Sequence, residues 1–429
     1  MKASVFFENM MRERSEGRAV GIYSVCSAHP MVIRAAMQQS AQDAMPVLIE
    51  ATSNQVNQFG GYTGMKPDDF KAFVYGIAED CGFPLQDILL GGDHLGPFVW
   101  RDRDEEQAMS LAEDLVTSYV RAGFSKIHLD TSMWLADDDR SRPLSDEIIA
   151  RRGARLCAAA ERARVDEDLV YVIGSEVPAP GGPAQETDTV TPTTPEAFLS
   201  SYKTFSEVFT QHHLQDAFRR VVAFVVQPGV EFTDSEVFDY DCQVAKSLCA
   251  ALKDLPEPLV FEGHSTDYQT PGALRNLVQD GVAILKVGPA LTFTLRQGLM
   301  ALENIERELA ILYGIEPSRF TEKLTGAMLE DDSNWRKYYD GEAERLQLQL
   351  RYSLLDRSRY YLPEPAVQAA VDRLISNLDK TGIPMALLSQ YMQQQFDRVR
   401  SGEITDAPLD LLADGIRHCL AGYSAAVRN

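Results

Sequence analysis

Eight short runs of apolar, largely β-branched residues constrain the fold of this 429-residue chain more than any other feature. They lie at residues 20–26, 46–51, 87–92, 126–130, 169–176, 220–227, 258–264 and 282–288, and segments with helical periodicity separate them. Alternating strands and helices predict parallel pairing, and runs that are apolar throughout are typical of strands buried on both faces. The pattern therefore predicts an α/β protein with a (β/α)8 TIM barrel. A doubly wound open sheet is the alternative, but no GxGxxG motif follows the first run.

The chain beyond about residue 290 is almost entirely helical in its pattern. Because a TIM barrel needs roughly 250 residues, we expect residues 1–300 to form the barrel and residues 301–429 to form a helical C-terminal extension packed on it. Within this extension the string RYSLLDRSRYY gathers Arg351, Arg357 and Arg359. These arginines belong either to a solvated helix face or to a clamp for an anion.

The charge of the chain argues against several classes of partner. It carries 63 acidic and 41 basic side chains, a formal net charge of −22 at pH 7, which disfavours nucleic acid and anionic membranes. No run approaches the roughly 18 consecutive apolar residues of a membrane-spanning helix, and the charged N-terminal segment lacks the apolar core of a signal peptide. The six cysteines form no CxxC pair, so we expect reduced thiols and a cytoplasmic location.

Candidate catalytic residues follow the predicted strands, because a TIM barrel places its active site at the carboxyl ends of its strands. The third strand is expected to stop at the glycine pair of GGDHLGP, which sets Asp93 beside His94. An imidazole there can bind a metal while the adjacent carboxylate moves a proton. Asp130 and Glu176 close the next two strands, where a buried carboxylate is costly without a partner. Each of these two acids could alternatively cap the following helix or pair with an arginine.

The histidines at the strand ends predict a divalent-metal site. His94 and His264 would supply nitrogen ligands, and Glu262 or Glu176 would supply oxygen. A hydrogen-bonded structural role is the alternative for any single one of these histidines. Four other histidines form no coherent site in the sequence and are assigned to structural or surface positions: His128, His212, His213 and His418.

Loops after the last two strands of a TIM barrel often bind phosphate through backbone N–H groups. In this chain GHST and KVGP close those strands, and Lys286 could neutralise the charge of a phosphate. A glycine-proline pair after a strand is also a common stop signal. The candidate residues for binding substrate and phosphate are Glu50, Asn54, Ser265, Thr266, Lys286 and Gly288.

Several long strings resemble one known family over essentially the whole chain. They are GIYSVCSAHP, EATSNQVNQFGGYTGM, GGDHLGP, IGSEVPAPGG, VVQPGVEF and FEGHSTDYQTP. These strings are similar to the GatZ/KbaZ family, which is associated with D-tagatose-1,6-bisphosphate aldolase in galactitol and N-acetylgalactosamine breakdown. The family is usually described as a non-catalytic subunit of that enzyme. It has also carried the label tagatose-6-phosphate kinase, and some relatives are described as ketohexose-phosphate 4-epimerases.

The resemblance extends to the zinc-dependent class II aldolases, strand by strand. Their Asp-His pair, a proton-transfer carboxylate and a zinc ligand, matches Asp93 and His94. Their Met-Ile-Asp segment resembles HLDTS, which implies an outer role at the metal site for Asp130. Their Glu-Leu-Gly-x-x-Gly-Gly segment resembles SEVPAPGG and matches Glu176. The resemblance therefore implies Asp93, Asp130 and Glu176 as catalytic residues.

Two departures from the aldolases change the implied metal site. Where they have His-Gly after strand six, this chain has VQPG, so one ligand is lost unless Gln227 replaces it. Where they have His-Gly-Gly-Ser after strand seven, the chain reads Glu-Gly-His-Ser, and either Glu262 or His264 could be the ligand. The implied metal ligands are His94, Gln227, Glu262 and His264. Such a mixed set suits a divalent metal, for which zinc is expected.

Three functions of different classes follow from the resemblance. The first, which we prefer, is an accessory subunit of a separate catalytic class II aldolase chain, in an oligomeric assembly that acts on a phosphorylated ketohexose. The second is an autonomous, metal-dependent aldolase or 4-epimerase, because a divalent metal and Asp93 meet the needs of retro-aldol chemistry. The third is a sugar-phosphate kinase, which the absence of a GxxxxGK[ST] motif disfavours.

Overall fold

The structure is a computed structural model that describes residues 2–165, 168–175, 190–339 and 341–428. Its ten strands are β1 (Ile22–Val25), β2 (Val47–Thr52), β3 (Ile88–Leu95), β4 (Lys126–Leu129), β5 (Val170–Ile173), β6 (Val221–Val226), β7 (Glu231–Phe232), β8 (Val237–Phe238), β9 (Val260–Gly263) and β10 (Val282–Val287). Eight of them pair in parallel and close into a barrel in the order β1-β2-β3-β4-β5-β6-β9-β10, while β7 and β8 form a small antiparallel hairpin. The predicted TIM barrel is confirmed, and the open doubly wound sheet is wrong.

Helices follow the barrel strands and then continue alone to the end of the described chain. They are α1 (Ala3–Ser15), α2 (Pro30–Asp43), α3 (Pro67–Cys81), α4 (Glu105–Ala122), α5 (Asp146–Ala163), α6 (Pro195–Gln211), α7 (Gln215–Phe218), α8 (Cys242–Ala250), α9 (Pro271–Asp280), α10 (Pro289–Tyr313), α11 (Phe320–Glu330), α12 (Ala343–Tyr352), α13 (Pro365–Thr381), α14 (Met385–Tyr391), α15 (Gln393–Arg400) and α16 (Pro408–Val427). Short 3-10 helices lie at Leu85–Asp87, Pro97–Trp100, Ala251–Asp254 and Arg357–Tyr360. None of these described helices has the length and apolar character needed to cross a membrane.

Local sequence signals explain where helices start and stop. Helix α4, for example, begins after Asp104, whose carboxylate accepts a hydrogen bond from the Gln107 N–H at 2.9 Å. It ends at Gly123, which adopts the left-handed conformation with φ +90°, a backbone state that favours glycine because it has no Cβ. These caps hold the helices that cover the outside of the barrel.

The inside of the barrel is apolar at the amino-terminal end of the strands. Side chains that point inward occur at every second residue of a strand, and here they include Ile22, Leu48 and Ile284. Phe7 and Met10 of α1 pack against them and close this end of the barrel. The interior can therefore be open to substrate only at the carboxyl end of the strands.

A layer of buried charges lies above the apolar one. This charge layer consists of Glu50, Lys126, Glu262 and Lys286. Gly91 makes room for it, because a Cβ at that position would lie 2.2 Å from Glu50 Oε1. The glycine pair of GGDHLGP is thus part of the strand interior, and the predicted strand end at residue 92 is wrong, since β3 continues to Leu95.

The helical extension packs back onto the barrel. Tyr423 of α16 donates a hydrogen bond to the Thr266 carbonyl at 2.6 Å, and Ser424 is hydrogen-bonded to Asp43 at the end of α2. Helix α10 runs without interruption across residue 300. The predicted division into residues 1–300 and 301–429 falls inside this helix and stays a prediction.

Candidate functional site

Three imidazole rings meet at the carboxyl ends of β3, β4 and β9. The ring centroids lie 5.1 Å apart for His94 and His128, 4.7 Å for His94 and His264, and 5.2 Å for His128 and His264. All three side chains are buried. We refer to them as the imidazole cluster. Each ring contacts a carboxylate: His128 Nδ1 lies 2.9 Å from Asp93 Oδ1, His264 Nε2 lies 3.0 Å from Glu262 Oε1, and His94 contacts Asp130.

His94 is held in a fixed orientation by Asp130. Its Nδ1 lies 2.8 Å from Asp130 Oδ2, and the other oxygen of that carboxylate accepts hydrogen bonds from the N–H and hydroxyl of Ser132 at 3.1 and 2.7 Å. Burial would raise the pKa of Asp130, but the hydrogen bonds to His94 and Ser132 lower it to about 2. A carboxylate on one ring nitrogen is the usual support for a histidine whose other nitrogen binds metal.

The backbone at His94 is strained, with φ +48°, which is in the left-handed region. Non-glycine residues occupy this region at a cost of about 1 kcal/mol or more, and such strain is concentrated at functional sites. The conformation places the His94 ring against both other rings of the imidazole cluster.

The charge layer lies directly beneath the imidazole cluster and balances its own charges. Lys126 Nζ lies 2.7 Å from Glu50 Oε1 and 2.6 Å from Glu262 Oε2. Lys286 is ion-paired with Glu50, and its Nζ lies 2.9 Å from Asp93 Oδ1. Burial opposes ionisation of Asp93, yet Lys286 and His94 hold its pKa well below the usual range. Asp93 is therefore an ionised carboxylate between the two groups of side chains.

The donor atoms at this point fit a divalent metal. One ligand atom from each of four side chains lies within 4.8 Å of the others: Asp93, His128, Glu262 and His264. His128 Nε2 is buried and has no hydrogen-bond partner among the residues that the structure describes. Imidazole nitrogens and carboxylate oxygens are the common ligands of zinc and related ions. A buried imidazole nitrogen without a hydrogen-bond partner is free to bind a metal ion.

A cleft opens above the imidazole cluster, with about 690 Å³ free of protein atoms and one side open to solvent. The lining residues are Cys26, Thr52, Asn54, Gln55, Tyr62, Asp93, His94, Phe232, His264, Ser265, Asp267, Lys286, Val287, Gly288, Pro289, Arg359 and Tyr360. The last two belong to the helical extension, so both parts of the chain contribute to this cleft.

The predicted substrate-binding residues divide into two groups. Four of them line the cleft, namely Asn54, Ser265, Lys286 and Gly288. Glu50 is fully buried in the charge layer instead. Thr266 is also fully buried, and its hydroxyl donates a 2.6 Å hydrogen bond to the Lys286 carbonyl, which ties two strand ends together.

One of the backbone N–H groups that were expected to bind phosphate, that of Gly288, already has a partner. Asp267 Oδ1 accepts hydrogen bonds from Gly288 N at 3.0 Å and Ala290 N at 2.8 Å. These groups form the N-terminus of α10, where an anion is favoured. A side-chain carboxylate therefore occupies the position that the sequence suggested for a phosphate.

The predicted metal ligand Gln227 belongs neither to the described group of candidate ligand atoms nor to the lining of the cleft. Gln227 Oε1 accepts hydrogen bonds from Gly229 N at 2.8 Å and Val230 N at 3.0 Å, so its carboxamide oxygen is held by its own loop. Glu176 lies outside the residues that the structure describes. The described group of candidate ligand atoms keeps the predicted Glu262 and His264, adds Asp93 and His128, and includes neither Gln227 nor His94.

Comparison with known proteins now gives the family. The model of the D-tagatose-1,6-bisphosphate aldolase subunit GatZ/KbaZ-like family matches residues 7–428. The chain belongs to this family. Two relatives, from Salmonella gallinarum and Salmonella enteritidis, are each 46% identical over 419 residues, 97% of this chain and 98% of theirs, and are called D-tagatose-1,6-bisphosphate aldolase subunit GatZ.

A solved structure supports the fold of this GatZ/KbaZ-like chain. The crystal structure of a probable tagatose 6 phosphate kinase from Sinorhizobium meliloti 1021 is 47% identical. It covers 95% of this chain and 100% of its own, with a TM-score of 0.86. The family resemblance seen in the sequence is confirmed.

Several residues of the site were not predicted from the sequence, and His128, expected at a structural or surface position, is the clearest of them. It lies between Lys126 and Asp130 in the string KIHLD, and all three are buried residues at every second position of β4 and its end. Side chains at i, i+2 and i+4 of a strand share one face. Because Lys126 and Asp130 cannot face an apolar helix layer without partners, this alternation was a signal that His128 points into the barrel.

Proposed function

We propose that this chain is the GatZ-type subunit of a D-tagatose-1,6-bisphosphate aldolase and supports a separate catalytic class II aldolase chain. One observation carries the proposal: relatives with that name are 46% identical over 97% of this chain and 98% of their own length. The substrate of the assembly is then a phosphorylated ketohexose. The location is cytoplasmic, and the six free cysteines accord with a reducing compartment.

The site supports a retained metal-binding capacity in this subunit. We assign His94, His128 and His264, with the Glu262 carboxylate, as the side chains that would hold the metal, and we leave the Asp93 carboxylate for proton transfer. Zinc is the proposed ion, because nitrogen-rich sets are typical of zinc sites. Such an ion would polarise the carbonyl group of a ketose. Asp130 orients the His94 ring through its 2.8 Å hydrogen bond.

Asp93 is the group that would move a proton. Lys286 and His128 contact its Oδ1, each at 2.9 Å, and its side chain lines the cleft. An ionised carboxylate at the edge of a cleft can accept a proton from a sugar hydroxyl. The charge layer beneath it keeps Asp93 in this ionised form.

An autonomous metal-dependent aldolase or 4-epimerase is the second candidate. The observation that favours it is the intact set of imidazoles and Asp93 below an open cleft, which an accessory subunit would not need. A kinase role finds no support in the chain, which has no phosphate-binding GxxxxGK[ST] loop.

The two candidates are separated by assaying the purified chain alone and with a catalytic class II tagatose-bisphosphate aldolase chain. Tagatose and fructose phosphates are followed by NMR, and bound metal is measured by mass spectrometry. We expect no turnover by the chain alone, and increased activity and thermal stability of the catalytic chain when both are present.

Metal-dependent turnover by the chain alone would contradict a purely accessory role. In that case His94→Ala should abolish the turnover, because it removes a proposed ligand. The matched control is His212→Ala, since His212 is exposed and lies outside the cleft. If both variants keep full turnover, the proposed site is wrong.

A further inference from the structure

One part of the helical extension reaches the cleft of the barrel. The 3-10 helix Arg357–Tyr360 brings Arg359 and Tyr360 into its lining, together with Asp93 and His94 from the end of β3. From the sequence, we expected these arginines either on a solvated helix face or in a clamp for an anion. Arg357 is buried and Arg359 is partly buried, so neither lies on a solvated helix face.

Arg359 forms no salt bridge with an acidic side chain among the described residues. Its Nη1 donates to the carbonyl oxygens of Leu355 at 2.5 Å and Asp356 at 2.9 Å, and its Nη2 donates to the Tyr360 hydroxyl at 3.1 Å. The guanidinium carbon also lies 4.6 Å from the centroid of the Tyr360 ring. Asp267 and Asp356 interact with Arg359 through their charges, but neither forms a salt bridge with it among the described residues. A guanidinium that lines a cleft without a direct carboxylate contact is available to an anionic ligand.

The segment that carries Arg359 is rigidly attached to α10. Asp356 adopts the left-handed conformation with φ +44°, and its carboxylate accepts hydrogen bonds from Arg296 Nε at 2.9 Å, Thr292 Oγ1 at 2.6 Å and Ser358 Oγ at 2.8 Å. Asp356 is fully buried, as is Arg296. The position of Arg359 is thus set before any ligand arrives, which lowers the entropic cost of binding.

Other positive groups at the cleft already have partners. Lys286 is bound by the carboxylates of the charge layer and by Asp93. The N-terminus of α10 is bound by Asp267. Lys286 balances the charge of Asp93, whereas Asp267 is held by backbone N–H groups. Asn54 lines the cleft too, and its carboxamide makes no hydrogen bond within the described chain.

We propose that Arg359 binds the phosphate group of a phosphorylated sugar, with Asn54 as a neutral hydrogen-bond donor. The guanidinium fork matches the geometry of a phosphate and forms charge-assisted hydrogen bonds with it. The extension therefore supplies the anion subsite that backbone N–H groups supply in many other barrels. The identity of the sugar rests on the proposed function, whereas the anion subsite does not.

The test measures binding to the full chain by calorimetry, with three probes: inorganic phosphate, tagatose 6-phosphate and tagatose. We expect the unmodified chain to bind the phosphorylated sugar more tightly than the neutral sugar. Arg359→Gln should weaken phosphate and tagatose 6-phosphate about 10- to 100-fold, as expected for a lost charge-assisted contact, and leave tagatose unaffected. Arg359→Lys should lie between, because it keeps the charge without the fork.

The control variant is Arg400→Gln. Arg400 also stacks on an aromatic ring, with its guanidinium carbon 5.5 Å from the centroid of the Phe396 ring, and it lies outside the cleft. Equal phosphate affinity of Arg359→Gln and Arg400→Gln would overturn the proposal. A chain that binds neither inorganic phosphate nor the phosphate group of the sugar would overturn it as well.

A second measurement needs no variant, so it can test whether Arg359 binds phosphate even if Arg359→Gln does not fold. Phenylglyoxal modifies accessible arginines, and mass spectrometry locates the modified residue. Inorganic phosphate should slow the modification of Arg359 several-fold and leave Arg400 unchanged. Equal modification with and without phosphate would refute the subsite. The two proposals can fail separately. If Arg359→Gln loses phosphate binding but the unmodified chain has no effect on an aldolase partner, the anion subsite is supported and the accessory function is wrong.

Discussion

The charge layer and the imidazole cluster are adjacent, equally buried groups of polar residues, yet they differ in how completely they are satisfied. Each lysine of the charge layer contacts two carboxylates within 3 Å, as Lys126 does with Glu50 and Glu262. In the imidazole cluster, by contrast, His128 Nε2 has no partner in the described chain, and His94 has a strained backbone. A saturated network supports structure, whereas an unsaturated one offers atoms to a ligand.

The largest effect is expected from breaking the charge layer. Lys126→Met would leave Glu50 and Glu262 as buried carboxylates with one cation between them. Removing one partner of a buried ion pair typically costs about 3–5 kcal/mol, so we expect a large fall in the midpoint of urea unfolding. The control is Lys203→Met, which removes a surface pair with Glu207 (3.8 Å, side chains 77% and 60% exposed) and should change little. Similar losses in both variants would contradict a structural role for the layer.

Asp267 gives the next effect, which depends on pH. Burial raises the pKa of this carboxyl group to about 6. The hydrogen bonds from Ala290 N and Gly288 N and the nearby charge of Arg359 lower the pKa, but by less than burial raises it. Because the folded-state pKa lies above the unfolded value of 3.8, the folded chain binds the proton more tightly. Ionised Asp267 therefore lowers stability above pH 6, and this loss is relieved as the pH falls from 6 towards 4.

Asp267→Asn keeps the acceptor oxygen and removes the titration. We expect the variant to be more stable than the unmodified chain at pH 8, by on the order of 2 kcal/mol, and the difference to shrink as the pH falls below 6. Thermal unfolding of both chains between pH 4 and pH 8 measures it. A difference that does not vary over this range would show that Asp267 is not the titrating group.

The smallest effect on folding, and a selective effect on metal, is expected from Asp130→Asn. The variant weakens the support of the His94 ring but leaves the ligand atoms in place. Loss of an outer hydrogen-bond partner typically lowers metal affinity about 10- to 100-fold. Competition with a chromogenic chelator measures the affinity for zinc, and unfolding in the presence of a chelator should shift little.

Asp138→Asn is the matched control for the zinc measurement. Asp138 lies in the same loop region, where its carboxylate pairs with Arg152 at 2.7 Å, and it is not part of the imidazole cluster. If Asp130→Asn and Asp138→Asn bind zinc with equal affinity, the cluster is not the metal site. The His128 nitrogen of the imidazole cluster that has no partner in the described chain would then need an explanation other than metal binding.

Much of the fold was accessible from local patterns. Each of the eight predicted runs overlaps one barrel strand, because apolar runs and helical periodicity are properties of neighbouring residues. The glycine pair misled the prediction for β3, since Gly91 is required by the Glu50 side chain of the neighbouring strand. A glycine that marks a close approach and one that marks a turn look alike in a sequence.

The site was accessible in part for the same reason. Asp93 and His94 could be identified because they are adjacent and follow an apolar strand. His128 was not predicted as a site residue because its role depends on its contact with the rings of His94 and His264, which come from other strands. Residue type alone could not show whether Gln227 binds a metal. Its carboxamide oxygen accepts hydrogen bonds from the backbone N–H groups two and three residues later in the chain.

By itself, the sequence determined the alternation of strands and helices, the family, and the residues at the strand ends. Only the tertiary structure decided which of those residues are saturated by one another and which remain available to a ligand. Closure of the barrel brings Lys286 to Glu50 and Asp93, and docking of the extension brings Arg359 to the same cleft. Those contacts join residues far apart in the chain, so they depend on the register of the barrel and the packing of helices rather than on any local pattern.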